Sequence, residues 1–335
     1  MAYSAINSLG SLKVHDERGQ LSKPLLDYGC SHWKTSSQRA ADLYDSGVKL
    51  WRKEDLVDIE QQVAQSCIAE KFTVRRIDGS IVHIKNPIFG VQNPIWKPYI
   101  EFHEYWHLVR STPDVPPEMY NCTYLVDWIN QTLLGGDGNA KKVTKIVCFG
   151  LGDMNYKPPD WWRRLNDSRP EDERETEASL VEGTFIHHAI ALTIADIIRS
   201  SAKTGDTGVR LLTQDPKYTD ETKDILWKIG FEVVGEYGAG GFAELDDESV
   251  VFSAFASAPV MQIIADLARP VATICPEKTS HGVFHNSGKL YGDPESPRTR
   301  QMWKGYESWN FPVPSEVMKL EGSLKQLEIC TRIGD

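Results

Sequence analysis

The chain has 335 residues, 41% of them hydrophobic and 25% charged, with a formal net charge of −10. That is the composition of a globular protein with enough chain for two lobes. The acidic balance argues against broad, sequence-blind nucleic-acid binding, and no apolar run approaches the roughly 18 residues of a membrane span.

In chain order, the start Met1-Ala2-Tyr3-Ser4 lacks a basic segment followed by an apolar stretch, so no secretory leader is expected. Cys30, Cys67, Cys122, Cys148, Cys275 and Cys330 are scattered with no Cys-x-x-Cys, which favours a reducing, cytoplasmic setting over a disulfide scaffold. Residues 1–35 read as a loosely docked arm. The spacing predicts helices over 37–50 and 53–69, the second from Leu56, Ile59, Val63 and Cys67. Asp78-Gly79 between two alternating runs predicts a β-hairpin. Pro87, Pro94 and Pro98 mark a loop, helices follow over 99–110 and 120–134, and Gly135-Gly136-Asp137-Gly138 reads as a linker. The first 140 residues are thus expected to form a mainly helical N-terminal lobe with a hairpin.

Beyond the linker, strand-like runs at 144–150, 209–213, 231–235, 249–255 and 270–275 alternate with helical patterns at 180–201, 219–229 and 259–268. Alternation of this kind predicts an α/β fold: a Rossmann-like, mostly parallel sheet with flanking helices over 143–275. The expected apolar face of the 180–201 helix is Phe185, Ala189, Leu192, Ala195, Ile197 and Ile198. A polar insertion spans 153–178. The tail, 276–335, reads as an irregular extension packing on the domain.

Lys145-Ile146-Val147-Cys148-Phe149-Gly150-Leu151-Gly152-Asp153 is an apolar run ending in Gly-x-Gly. That is how a buried parallel strand delivers its carboxyl end to a ligand crevice. The third glycine of the dinucleotide fingerprint is absent, and so is an acidic residue about 20 positions on, so no nucleotide cofactor is expected. Gly150, Gly152, Asp153 and Asp215, with Ser253 and Ser257 beside the 249–255 strand, are the candidate substrate contacts. No Gly-x-Ser-x-Gly elbow surrounds the serines. Glu171, Asp172 and Glu175 form an acidic cluster in the insertion. It reads either as a solvated helix start or as a clamp for a guanidinium or ammonium group. His187 is a candidate acid or base beside His188. Arg163 and Arg164, with Lys141 and Lys142, are candidate basic patches. His103-Glu104-Tyr105-Trp106-His107 matches a zinc-hydrolase helix pattern, although no third ligand is marked and aromatic packing is the commoner outcome.

The 145–152 run, Leu211-Leu212-Thr213-Gln214-Asp215-Pro216 and the Ile225–Gly230 stretch together resemble the sensitivity-to-red-light-reduced domain family. That resemblance implies the Rossmann-like sheet and leaves a non-enzymatic regulatory role open. The usual Pro-His-Cys-like tripeptide after the fourth strand is replaced here by Ala254-Phe255-Ala256-Ser257-Ala258-Pro259. Within the domain type the chain resembles the fungal arginine-containing cyclodipeptide synthases, whose Asp-Asp-x-x-Glu pattern is met by Glu171-Asp172-Glu173-Arg174-Glu175 with glutamate first. This resemblance implies an enzyme that joins arginine and a second amino acid into a diketopiperazine. Its partners would be aminoacyl-tRNAs, without DNA, membrane or cofactor. Glu171, Asp172, Glu175 and His187 would carry the chemistry, and the basic residues would meet the tRNA. Two other readings stay open: a non-enzymatic regulatory domain protein, and a zinc hydrolase on His103, Glu104 and His107.

Overall fold

The computed structural model describes residues 43, 46–75, 79, 81–86, 89–90, 142–158, 160–174, 176, 179–201, 208–254, 256, 258–276, 296–312, 324 and 327–334. The helices expected over 99–110 and 120–134, the Gly135–Gly138 linker and the His103–His107 pattern lie outside these residues. The chain divides into two compact units, 1–50 with 75–82 and 51–74 with 83–335. Strands β1 (Lys71–Arg75) and β2 (Ile81–Lys85) form the predicted two-stranded ribbon.

The second unit is an α/β structure on a seven-stranded mixed sheet. Its strands are β3 (Lys145–Phe149), β4 (Arg210–Gln214), β5 (Glu232–Val233), β6 (Ser249–Ser253), β7 (Ala272–Pro276), β8 (Tyr306–Asn310) and β9 (Leu327–Arg332), in the order β5-β4-β3-β6-β7-β9-β8. The first five in that order pair in parallel, and β9 joins antiparallel to both β7 and β8. All five predicted strands occur, each within a few residues of its expected bounds. The tail differs from its expected irregularity. It adds β8, β9 and a capped helix, because Leu327, Ile329, Cys330 and Thr331 find buried places beside β7 that the polar residues between them obscure in sequence.

Among the described residues, seven helices accompany the sheet: α1 (Lys53–Ala64), α2 (Asp160–Asp167), α3 (Ser179–Ser201), α4 (Asp220–Lys228), α5 (Gly240–Ala243), α6 (Val260–Leu267) and α7 (Pro297–Trp303). Successive side chains of a strand point to opposite faces, so β3 sends Ile146 and Cys148 into one core and Val147 and Phe149 into the other. The first core is closed by α3 and α4, the second by α1, α5, α6 and α7. Helix α1 was expected in a separate lobe. Its Leu56 is instead 1% exposed in the second core, and the backbone N–H of Trp51 donates to Asp266 Oδ2 on α6 at 2.9 Å. Asp266 also receives Arg298 of α7, a buried ion pair that joins three elements.

Helix α3 is apolar on almost every side, and by composition the window Val181–Ser200 could cross a membrane, with mean hydropathy 1.3. Its sheet-facing residues are Ile186, Ile190, Ile194 and Ile198, with His187 and His188 buried beside them. Of the expected face, Ala195 and Ile198 are buried in the core, and Phe185, Ala189, Leu192 and Ile197 pack at its margin. A nearly uniform helix gives little periodic contrast, so only docking fixes its rotation.

Candidate functional site at the carboxyl ends of β3, β4 and β6

Counted from β3, the parallel strands run in space as third, second, first, fourth, fifth. The connections therefore leave β3 to one side and β6 to the other, and the carboxyl ends of these two strands form the switch point at which open α/β sheets place their ligand crevice. Both glycines of the motif are required there. Gly150 has φ 65° and Gly152 φ 93°. A Cβ on Gly150 would lie 2.6 Å from the Cα of Ala256, and one on Gly152 would lie 2.4 Å from Thr184 Oγ1. The loop after β6 and the second turn of α3 thus close against this peptide.

The two aspartates at the strand ends brace the loops. Asp153 is 8% exposed. Its Oδ1 accepts from Asn155 N at 2.6 Å, Thr222 Oγ1 at 2.7 Å and Thr219 Oγ1 at 3.3 Å. Its Oδ2 accepts from Thr219 N. Asp215 reaches the other way, accepting from Gly152 N at 3.1 Å and Lys217 N at 3.0 Å. Burial pushes the Asp215 carboxyl up, the two N–H donors pull against it, and the Asp153 charge adds to the rise. Each loop therefore carries the other's anchor, and Thr219 caps α4 at the same point by accepting from Thr222 N.

Beneath this junction lies a buried chain of hydrogen bonds. His188 Nδ1 faces the carbonyl of Thr184 at 2.7 Å and its Nε2 faces the Tyr218 hydroxyl at 3.0 Å, which in turn lies 2.8 Å from Thr213 Oγ1. Only one assignment of protons satisfies a neutral ring: Nδ1–H donates to Thr184, Tyr218 donates to Nε2, and Thr213 donates to Tyr218. Burial lowers the His188 pKa to about 4. His187 is lowered to about 3 by burial and then by its neighbour His188, against a hydrogen bond with the Leu151 backbone. Its ring meets Phe252 edge-on at 6.0 Å. His187 therefore lies under the crevice loop within the core, where a proton is costly to hold.

The remaining candidates do not gather at this point. Glu171 and Asp172 occupy an exposed 3-10 turn, Glu171–Glu173, and their carboxylates make no hydrogen bond or ion pair among the described residues. Glu175 and Ser257 lie outside the described residues. Ser253 ends β6 beside Phe149 and is buried. Arg163 and Arg164 sit on exposed turns of α2, with Arg163 3.6 Å from Asp160. Lys142 precedes β3 and pairs with Glu248 at 3.2 Å, at the opposite end of the sheet from the crevice. Lys141 lies outside the described residues. No group of three metal-ligating side chains occurs among the described residues.

Sequence reasoning overlooked most of the groups that fix the site: Thr184, Thr213, Tyr218, Thr219 and Thr222. One of them carried a legible signal, since Thr219 before Asp220-Glu221 is an N-cap pattern.

These features define an α/β domain with a Gly-x-Gly loop at the switch point of its strand ends. Residues 123–285 match the family model of the SRR1 domain, just under half of the 335-residue chain. That stretch, which holds β3 to β7, is similar to the family indicated by the β3 and β4 motifs. No curated protein and no solved structure matches the chain.

Proposed function

We propose that the chain is a regulatory SRR1-like domain protein that acts by binding at the β3 and β6 strand ends, without turnover, in a reducing compartment. One observation carries this reading: the described acid–base groups at the strand ends are already committed. Asp153 accepts four donors, Asp215 accepts two N–H groups, and both histidines are buried and held neutral. What the crevice offers is shape and backbone, which suit recognition. The SRR1 domain match supports the same reading.

A tRNA-dependent arginine cyclodipeptide synthase is the second reading, favoured by the exposed carboxylates of Glu171, Asp172 and Glu173 on one turn between β3 and α3. They are open to a guanidinium, and the exposed Arg163 and Arg164 precede them on α2. Host cells lacking the gene, complemented with wild type or with Glu171→Gln/Asp172→Asn/Glu175→Gln, separate the two. The regulatory reading expects equal restoration of the transcript profile and no new cyclic dipeptide by mass spectrometry. An arginine-containing diketopiperazine, made by wild type and lost in the triple variant, overturns it in favour of the synthase.

A further inference from the structure

Helix α1 lies outside the residues matched by the SRR1 model, yet it supplies a charged group to the loop between β5 and α5. Glu60 Oε1 accepts from Tyr237 N at 2.7 Å, and Oε2 accepts from Ala239 N at 2.8 Å and Gly240 N at 3.1 Å. Two routes lead from this loop to the crevice. The first is polar. Gln214 Oε1 accepts from Gly241 N at 2.6 Å and its Nε2 donates to Gly238 O at 2.9 Å, while the Gln214 carbonyl accepts from Gly150 N at 3.0 Å. The second is apolar. Phe242 stacks on Phe149, the residue before Gly150, with ring centroids 4.4 Å apart. Both end at the first residue of the crevice loop.

We propose that α1 is a regulatory strap, latched through the Glu60 carboxylate, whose hold on the Tyr237–Gly241 loop sets the order of the peptide Gly150–Asp153. The inference rests on the assignment of binding to that crevice. The latch is suited to release. Glu60 is only part-buried, so water can take over its three N–H partners, and the helix otherwise buries just Leu56 and Val63. A charged acceptor is stronger than a neutral one, so removing it should loosen the loop more than removing its shape.

Amide hydrogen exchange on the full chain tests this, comparing wild type with Glu60→Ala, Glu60→Gln and, as control, Glu54→Gln on the exposed first turn of the same helix. Glu60→Ala should speed exchange at Tyr237, Ala239 and Gly240 and also at Gly150 by about tenfold or more, with Glu60→Gln following in the same pattern and Glu54→Gln unchanged. Faster exchange at 237–240 with Gly150 unchanged overturns the coupling. So does a uniform rise that includes the β6 amides of Val250–Phe252 in both Glu60 variants, which would mean a general loss of stability. Exchange is read without ligand or phenotype, so this result and the complementation result stand or fall separately.

Discussion

Asp153→Ala removes the carboxylate that joins the loop after β3 to the start of α4. Three of its donors lie at 2.6, 2.7 and 3.3 Å and the fourth is Thr219 N. A hydrogen bond to a charged group contributes about 1.5–3 kcal/mol, and an orphaned buried donor costs about 1–3 kcal/mol. The donors share one acceptor and do not add independently, and water entering the space left behind satisfies some of them. A total of about 3–5 kcal/mol is expected, the scale of breaking a buried charged contact. That is a large part of a typical stability of about 5–15 kcal/mol. Equilibrium urea unfolding, followed by tryptophan fluorescence and circular dichroism, measures the loss. Asp153→Asn keeps the volume and one acceptor oxygen and should lose about half as much. A double-mutant cycle with Thr222→Val should give a coupling of about 1 kcal/mol or more. A stability for Asp153→Ala within about 0.5 kcal/mol of wild type, the range of an unremarkable surface change, would refute the reasoning.

Two further outcomes follow from the same geometry. The histidine pair makes stability depend on pH: folded values of about 4 for His188 and about 3 for His187 lie below the ordinary 6.5, so the unfolded chain takes up protons first as pH falls. The stabilisation is complete above about pH 6.5 and declines toward the folded values, by on the order of 1.4 kcal/mol per pH unit for each ring. Urea midpoints between about pH 7 and 5 should fall accordingly, His187→Gln should reduce the slope by about half, and a flat profile would count against burial of the pair. Gly152→Ala combines a positive φ with a 2.4 Å approach to Thr184 Oγ1, and should cost roughly 2–4 kcal/mol in thermal or urea unfolding. Adding Thr184→Ala removes the clash and leaves the backbone strain of about 1–2 kcal/mol, so the double variant should be more stable than Gly152→Ala alone. Equal stabilities would show that the hydroxyl is not the obstacle.

The ribbon and the parallel strands were legible in the sequence because short-range rules govern them. Apolar runs such as Ile146–Phe149 cannot be left in water, Gly150 and Gly152 mark a backbone that must turn left-handed, and Asp78-Gly79 is a local turn signal. Asp153 and Asp215 were found as strand-end carboxylates. Their use was not, because whether a carboxylate meets a ligand or a backbone N–H depends on where Gly152, Thr219 and Lys217 come to lie. The tail was misread for a related reason: β9 becomes a strand only beside β7, where its buried residues Leu327, Ile329, Cys330 and Thr331 acquire a partner.

Composition and periodicity alone determined that this chain builds a mostly parallel α/β sheet, and the Gly-x-Gly after β3 marked the loop at its switch point, since burial pattern and glycine conformation act over a few residues. Only the tertiary structure decided that α1 belongs to that unit, that the α3 histidines lie in its core, and that Glu60 reaches the loop beside β4. These are contacts between residues as much as 215 positions apart, as Trp51 and Asp266 are, and only folding brings such groups within hydrogen-bond range.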